Sequence, residues 1–242
     1  GEGNAYNVVV ANCKIGAIHA NYVGGIVGRQ EVVHDSAAKV YTSGIQGGSV
    51  TGYTEVGGIV GRTLIGAIVD TYSETTVKAY DNIAGGIAGR LLPTKNASYP
   101  SCVERAYSVS SVTAKNYAAG IVGYVEDGKL KGDNRYYLFA GTVSTDTSGD
   151  DSKKDLIANY SSAGFTDSYI YSNENRSGST KVTAGEMQSQ SFYTGKLGFS
   201  TKTWSFAGIE TGWMPYLQYY VSSTNQVRLP GQEDFYTKAE VK

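Results

Sequence analysis

The feature that most constrains this chain is a short glycine-rich motif that returns four times: Gly24-Gly25-Ile26-Val27-Gly28-Arg29, Gly57-Gly58-Ile59-Val60-Gly61-Arg62, Gly85-Gly86-Ile87-Ala88-Gly89-Arg90 and Ala119-Gly120-Ile121-Val122-Gly123-Tyr124. The second residues of the copies, Gly25, Gly58, Gly86 and Gly120, are 33, 28 and 34 residues apart. A fixed period near 30 residues is the signature of stacked units, because one such unit is too small to bury its own apolar face. Each copy is preceded at a nearly constant distance by a β-branched residue (Ile18, Val50, Val77, Val112), and five residues earlier by Cys13, Ile45, Tyr72 or Tyr107. The period is therefore carried by more than glycine. The inserts at residues 30–43 and 91–105 vary between units and map to loops.

Composition supports strands over helices. Val and Ile together number 36 against 11 for Leu and Met, with 31 Gly, 20 Tyr and four Pro in 242 residues. β-branched and aromatic residues favour pleated surfaces, and no helical period runs through the repeats. Stacked in parallel, successive units lie about 4.8 Å apart, which puts Ile26, Ile59, Ile87 and Ile121 in one inward ladder and places the motif glycines at positive φ or close backbone approach. A propeller blade needs about 40 to 50 residues and four strands, more than these units supply. The expected fold is all-β, a parallel β-solenoid (β-helix) over residues 1–145. An irregular loop with extra strands follows (146–183), then a helix and aromatic cap (184–225) and a polar tail or linker (226–242). Thr183 with Glu186 three residues later forms a capping-box pattern for one short helix over 183–196. Residues 204–217 carry the aromatic bulk to plug the open end of the stack.

The run from Tyr22 through "GAIVDTYSETTV" to "AYSVSSVTAKNYAAGIVGY" resembles tandem GLUG repeats, whose Gly-Leu-x-Gly core is written here as Gly-Ile-Val/Ala-Gly. The segment "FYTGKLGFSTKTWSFAGIETGWMPYL" is similar to what closes such arrays. The resemblance covers residues 5–143 and 184–218. It implies a bacterial surface or secreted protein, either adhesin-like or the non-catalytic part of a zinc metallopeptidase of the immunoglobulin A protease type. An extracellular or cell-surface location follows from the resemblance alone.

Residues that bear chemistry are sparse. There are two histidines, His19 and His34, and neither belongs to an H-E-x-x-H pair. His34-Asp35-Ser36 are neighbours in sequence, which does not assemble a triad; a solvated loop is the plainer reading. Glu55, Asp81 and Asp127 fall at different offsets from their motifs, so acids do not recur in phase as glycoside cleavage on a solenoid face requires. Asp146, Asp150 and Asp151, with Gly149 between, offer oxygens to calcium but match no calcium-loop spacing; an acidic loop is favoured. No catalytic, cofactor or metal residue is assigned.

Arg29, Arg62 and Arg90 end three motifs with Tyr124 in the fourth place. In register they form either a solvated column or an anion-binding stripe. Tyr72 and Tyr107 read as packing ladders; Trp213, Tyr216, Tyr219 and Tyr220 offer a sugar-stacking platform, with Trp204 and Trp213 assigned first to cap packing. Cys13 and Cys102 read as free, buried thiols. With 21 basic against 22 acidic residues, composition gives no basic face for nucleic acid, and no apolar run of about 18 residues inserts into a membrane.

Three functions are compatible. The first is a non-catalytic extracellular repeat module for adhesion, ligand binding or spacing of neighbouring domains, its partner a host or matrix protein or a glycan together with other domains of the same polypeptide. The others are an accessory substrate-positioning domain of a secreted zinc metallopeptidase and a carbohydrate-active β-helix enzyme.

Overall fold

Strands of three or four residues cannot stand alone, and in this chain each finds its partners one repeat before and one repeat after. The computed structural model describes residues 3–31, 38–92, 101–126, 134–146, 154–158, 165–172 and 179–218. They build an all-β parallel solenoid with three faces. The first carries the long strands Ala38–Gly52 and Gly66–Ala79, followed by Ser101–Ser108, Arg135–Phe139, Thr166–Ile170 and Thr180–Lys181. The second stacks Tyr22–Gly24, Glu55–Gly57, Ile83–Gly85, Tyr117–Ala119 and Lys154–Asp155, and the third stacks Val27–Gln30, Val60–Thr63, Ala88–Leu91 and Val122–Val125. Strands after residue 145 join the stack: Lys154–Asp155 extends the second face and Thr166–Ile170 the first.

The inward isoleucine ladder forms as expected. Ile26 N–H donates to Ile59 O (3.1 Å), Ile59 N–H to Ile87 O and Ile87 N–H to Ile121 O (both 2.9 Å). Ile59, Ile87 and Ile121 are fully buried, whereas Ile26, on the outermost rung, is half-buried. Phasing of the first unit differs from expectation. Val50, Val77 and Val112 stack on Ile15 rather than Ile18, which is exposed. Tyr72 and Tyr107 stack on Gly44 rather than on Ile45, and Gly44 pairs with Val9, not with Cys13. Counting back from the motif fails there because the turn after Lys14–Gly16 is longer than its equivalents, and because Gly47 and Gly48, both at positive φ, shift the register between Gln46 and Ser49. Cys13 is consequently exposed and Cys102 is buried, and no disulfide joins them.

The motif glycines are required by proximity. None of them has positive φ. A Cβ on Gly86 would lie 2.0 Å from Gly120 O on the next rung and 2.3 Å from Ser108 Oγ on the opposite face; on Gly58 it would meet Gly86 O at 2.1 Å and Ser73 Oγ at 2.2 Å. The interior is thus one side chain thick at this point, and the small Ser73 and Ser108 fit where Ile45 and Phe139 stand on other rungs.

Each rung of the first face bends at a non-glycine residue in the left-handed region, the first rung having a second at Asn12; those that recur are Asn7, Thr42, Asp70, Arg105, Tyr136 and Asp167, with φ from 46° to 68°. Flanking pairs such as Tyr41 with Val69 and Ser43 with Thr71 put these residues in one corner column. The conformation costs an L-residue about 1–2 kcal/mol. Asn7 and Thr42 offset it through a 2.5 Å hydrogen bond from Thr42 Oγ1 to Asn7 Oδ1, and Asp70 and Arg105 through a bidentate ion pair at 2.9 and 3.0 Å.

The C-terminal segment lies along the flank of the stack instead of across its end. The capping box is present, with Glu186 N–H donating to Thr183 Oγ1 and Thr183 N–H to Glu186 Oε2, but the α-helix stops after Ala184–Met187 and a separate π-helical turn covers Phe192–Lys196. The chain then presses Phe199 and Trp204, stacked at 4.5 Å, against Tyr72 and Tyr107 on the outer side of the first face. Trp204 Nε1 donates to Asp70 Oδ1 (3.1 Å) and the Tyr107 hydroxyl to Pro215 O (2.8 Å). Aromatic surface that would stand bare in an isolated solenoid is thereby buried in a second core. Replacing Gly86 by Ala is expected to cost about 3 kcal/mol in chemical denaturation, because overpacking meets backbone it cannot displace. Gly185→Ala, where a Cβ meets nothing within 4 Å, should be neutral or slightly stabilising.

Candidate functional site

Because successive rungs are in register, residues that follow the motif form outward columns. Arg29, Arg62, Arg90 and Tyr124 pair in sequence down the third face, and Tyr22, Glu55, Ile83 and Tyr117 pair down the second. The glycines hold the two faces so close that the columns interlock. The Arg62 guanidinium sits 4.4 Å above the Tyr22 ring and grips Glu55 with two hydrogen bonds, Nε to Oε2 at 2.5 Å and Nη2 to Oε1. Arg90 donates to Glu55 Oε1 at 3.1 Å and to Glu126 Oε2 at 2.5 Å, and lies 5.4 Å from the Tyr124 ring centre. Tyr124 in turn meets Tyr117 at 4.9 Å, and at the other end Arg29 pairs with Glu31 and overlies Tyr22 at 5.3 Å.

The column is therefore neither freely solvated nor an open anion stripe. Stacked guanidiniums about 4.8 Å apart repel by nearly 1 kcal/mol even in water. One carboxylate, only 4% exposed in its side chain, is shared between Arg62 and Arg90. Its hydrogen bond is the main reason the Arg62 guanidinium holds its proton more firmly than usual. Glu31, Glu55 and Glu126 balance Arg29, Arg62 and Arg90, so the surface is aromatic and polar with compensated charge. Tyr22 at one end and the pair of Tyr117 and Tyr124 at the other, beside half-buried guanidiniums, are chemically able to stack on flat, weakly charged groups and to hydrogen-bond their rims.

A second cluster sits at the corner column. Arg105 forks onto Asp70 and also pairs with Glu104. Burial alone would lower its pKa; the Asp70 hydrogen bond and charge outweigh that and raise it. With the Trp204 indole also on Asp70, this cluster anchors the C-terminal segment. Glu74 lies on the same flank, opposite Gln46, and burial pushes its carboxyl up to about 7.

Several residues singled out from the sequence are placed elsewhere. His19 is exposed; His34, Asp35, Ser36, Asp127, Gly149, Asp150, Asp151, Tyr219 and Tyr220 lie outside the described residues, as does the stretch 226–242. Asp81 pairs with Lys115 across rungs at 3.3 Å. Trp204 is fully buried, while Trp213 and Tyr216 are half-buried. Among the described residues no group of three or more His, Cys, Asp and Glu is placed to hold a metal, and no helix is long and apolar enough to cross a membrane. Along the chain Glu55 is out of phase with Asp81 and Asp127, which hides its role. The signal lay in its alignment with Tyr22 and Tyr117, which places it beside the arginine column. No family model, no curated protein and no solved structure matches this chain.

Replacing Glu55 by Gln keeps the shape but removes the shared charge. A loss of about 2 kcal/mol is expected by denaturant titration, because two half-buried guanidiniums are left facing each other. For Glu74 the folded state keeps a proton that the unfolded chain releases near its ordinary value of 4.5. Stability should then fall as pH rises through the window from 4.5 to about 7 and level off above it. Glu74→Gln should flatten that slope and gain up to about 3 kcal/mol at alkaline pH, which melting curves across the window will read.

Proposed function

We propose that this chain is a non-catalytic bacterial surface or secreted repeat module of the GLUG type, which binds an extended glycan or glycoprotein strand along one solenoid flank and spaces neighbouring domains. The observation that carries the reading is the interlocked column of Tyr22, Arg62, Glu55, Arg90, Tyr124 and Tyr117, in which aromatic faces on the first and fourth rungs bracket paired charges on the two rungs between. An extended ligand that offers flat apolar faces edged by hydroxyls at two separated points matches such a surface. Because the arginines are already paired with carboxylates, a neutral sugar chain fits better than a sulfated or sialylated one. The GLUG assignment rests on the four motif copies and the closing aromatic segment.

Glycan-array binding followed by titration of the best neutral oligosaccharide tests the reading. Tyr124→Ala should weaken binding about tenfold or more, in line with the loss of one stacking platform and its guanidinium contact, with the melting temperature little changed. A preference for sulfated or sialylated chains, or binding unaffected by both Tyr124→Ala and Arg62→Ala, would refute it.

A further inference from the structure

The two ends of the stack are unlike. Past Thr166–Ile170 the first face gains Thr180–Lys181 and the chain turns back along the flank. At the other end, the first-rung strands Ala5–Tyr6, Val9–Ala11, Lys14–Gly16, Tyr22–Gly24 and Val27–Gln30 pair on one side, with the second rung, and among the described residues nothing pairs with their outer edge. Folded monomers blunt such an edge with proline, inward charges or a covering loop. Residues 3–31 contain no proline. Ala5, Val10, Ile15, Ala20, Ile26 and Val27 pack on the core yet stay only partly buried.

The edge carries a specific unmet bond. A hollow of about 510 Å³ opens at the first rung, lined by Gln30, Val27, Arg29, Glu31, Ala38 and Val40 among others. Gln30 is 2% exposed; its Oε1 accepts from Thr63 Oγ1 at 2.9 Å, while its buried Nε2 has no acceptor. Gln30 O accepts from Leu64 N–H of the second rung at 3.0 Å, so this residue faces inward along the stack. Neighbouring residues of an extended strand face opposite ways, which turns the N–H and C=O of Arg29 and Glu31 to the open side.

We propose that this edge joins a second copy of the same chain, head to head, about a twofold axis at Gln30. In that antiparallel register Arg29 lies opposite the partner's Glu31 and exchanges both backbone hydrogen bonds with it, and the same pair recurs on the other side of the axis. Gln30 meets the partner's Gln30 as the non-hydrogen-bonded pair, the closest approach in an antiparallel ladder, where each amide donates to the other's oxygen. Over Arg29, Gln30 and Glu31 the edge is complementary to itself in charge and in hydrogen bonding, as an isologous contact requires. An unrelated extended peptide, or a further coil of the same polypeptide ahead of residue 1, would satisfy the backbone but has no reason to carry the opposite charges in this order.

Sedimentation equilibrium of the 242-residue chain tests this. A reversible dimer, twice the 25.8 kDa of one chain, is expected. Arg29→Glu and Glu31→Arg, each alone, set like charges opposite across the axis and should weaken dimerisation about tenfold or more, and the double reversal should return it to within about threefold. Both side chains are about 40% exposed, so circular dichroism and melting should be unchanged. A monomer at every concentration, dimerisation indifferent to the single reversals, or a double variant no better than the singles would each overturn the proposal.

Discussion

The thinness of the interior at the second motif glycine governs the rest of the molecule. Where Gly58 and Gly86 touch Ser73 and Ser108, two faces of the solenoid meet with no side chain between backbone and hydroxyl. That contact explains why an isoleucine follows each glycine pair: the interior widens again one residue on and needs a β-branched filler there. It also explains the constancy of the motif against the variability of the connections. Turns between faces can lengthen into solvent, whereas a methyl group at Gly86 would have to displace backbone on the adjacent rung.

Parallel stacking places like beside like, which suits apolar and hydroxyl side chains and penalises charges. The column of arginines shows how the penalty is relieved without leaving the repeat. One rung substitutes Glu55 where its neighbours place Tyr22 and Ile83, and that carboxylate reaches sideways to serve two arginines. The corner column solves the same problem with Asp70 following Thr42 and preceding Arg105. In both places an irregularity in the repeat is an electrostatic answer to the regularity of the fold.

Much of this was legible in the sequence. The motif spacing gave the rung, the isoleucine ladder and the register of Arg29, Arg62 and Arg90, because stacking transmits sequence period directly into space. Three things were not legible. The first rung was misphased at Cys13 and Ile18 because Gly47, Gly48 and a longer turn alter the residue count without altering the ladder. The partner of Arg62 and Arg90 came from a different face, and spacing along the chain does not report contacts across a glycine corner. The C-terminal aromatics read from the sequence as a plug for the open end, whereas they cover the flank, since only the three-dimensional stack brings Tyr72 and Tyr107 to one outer side.

That flank gives the chain a temporal order. Rung-to-rung hydrogen bonds join residues some 30 positions apart, so each coil can zip onto the last as it is made. The clasp of Trp204 on Asp70 spans 134 residues and that of Tyr107 on Pro215 spans 108. During synthesis the growing solenoid must therefore carry a bare tyrosine stripe, sticky and aggregation-prone, until the last aromatic segment emerges and closes over it.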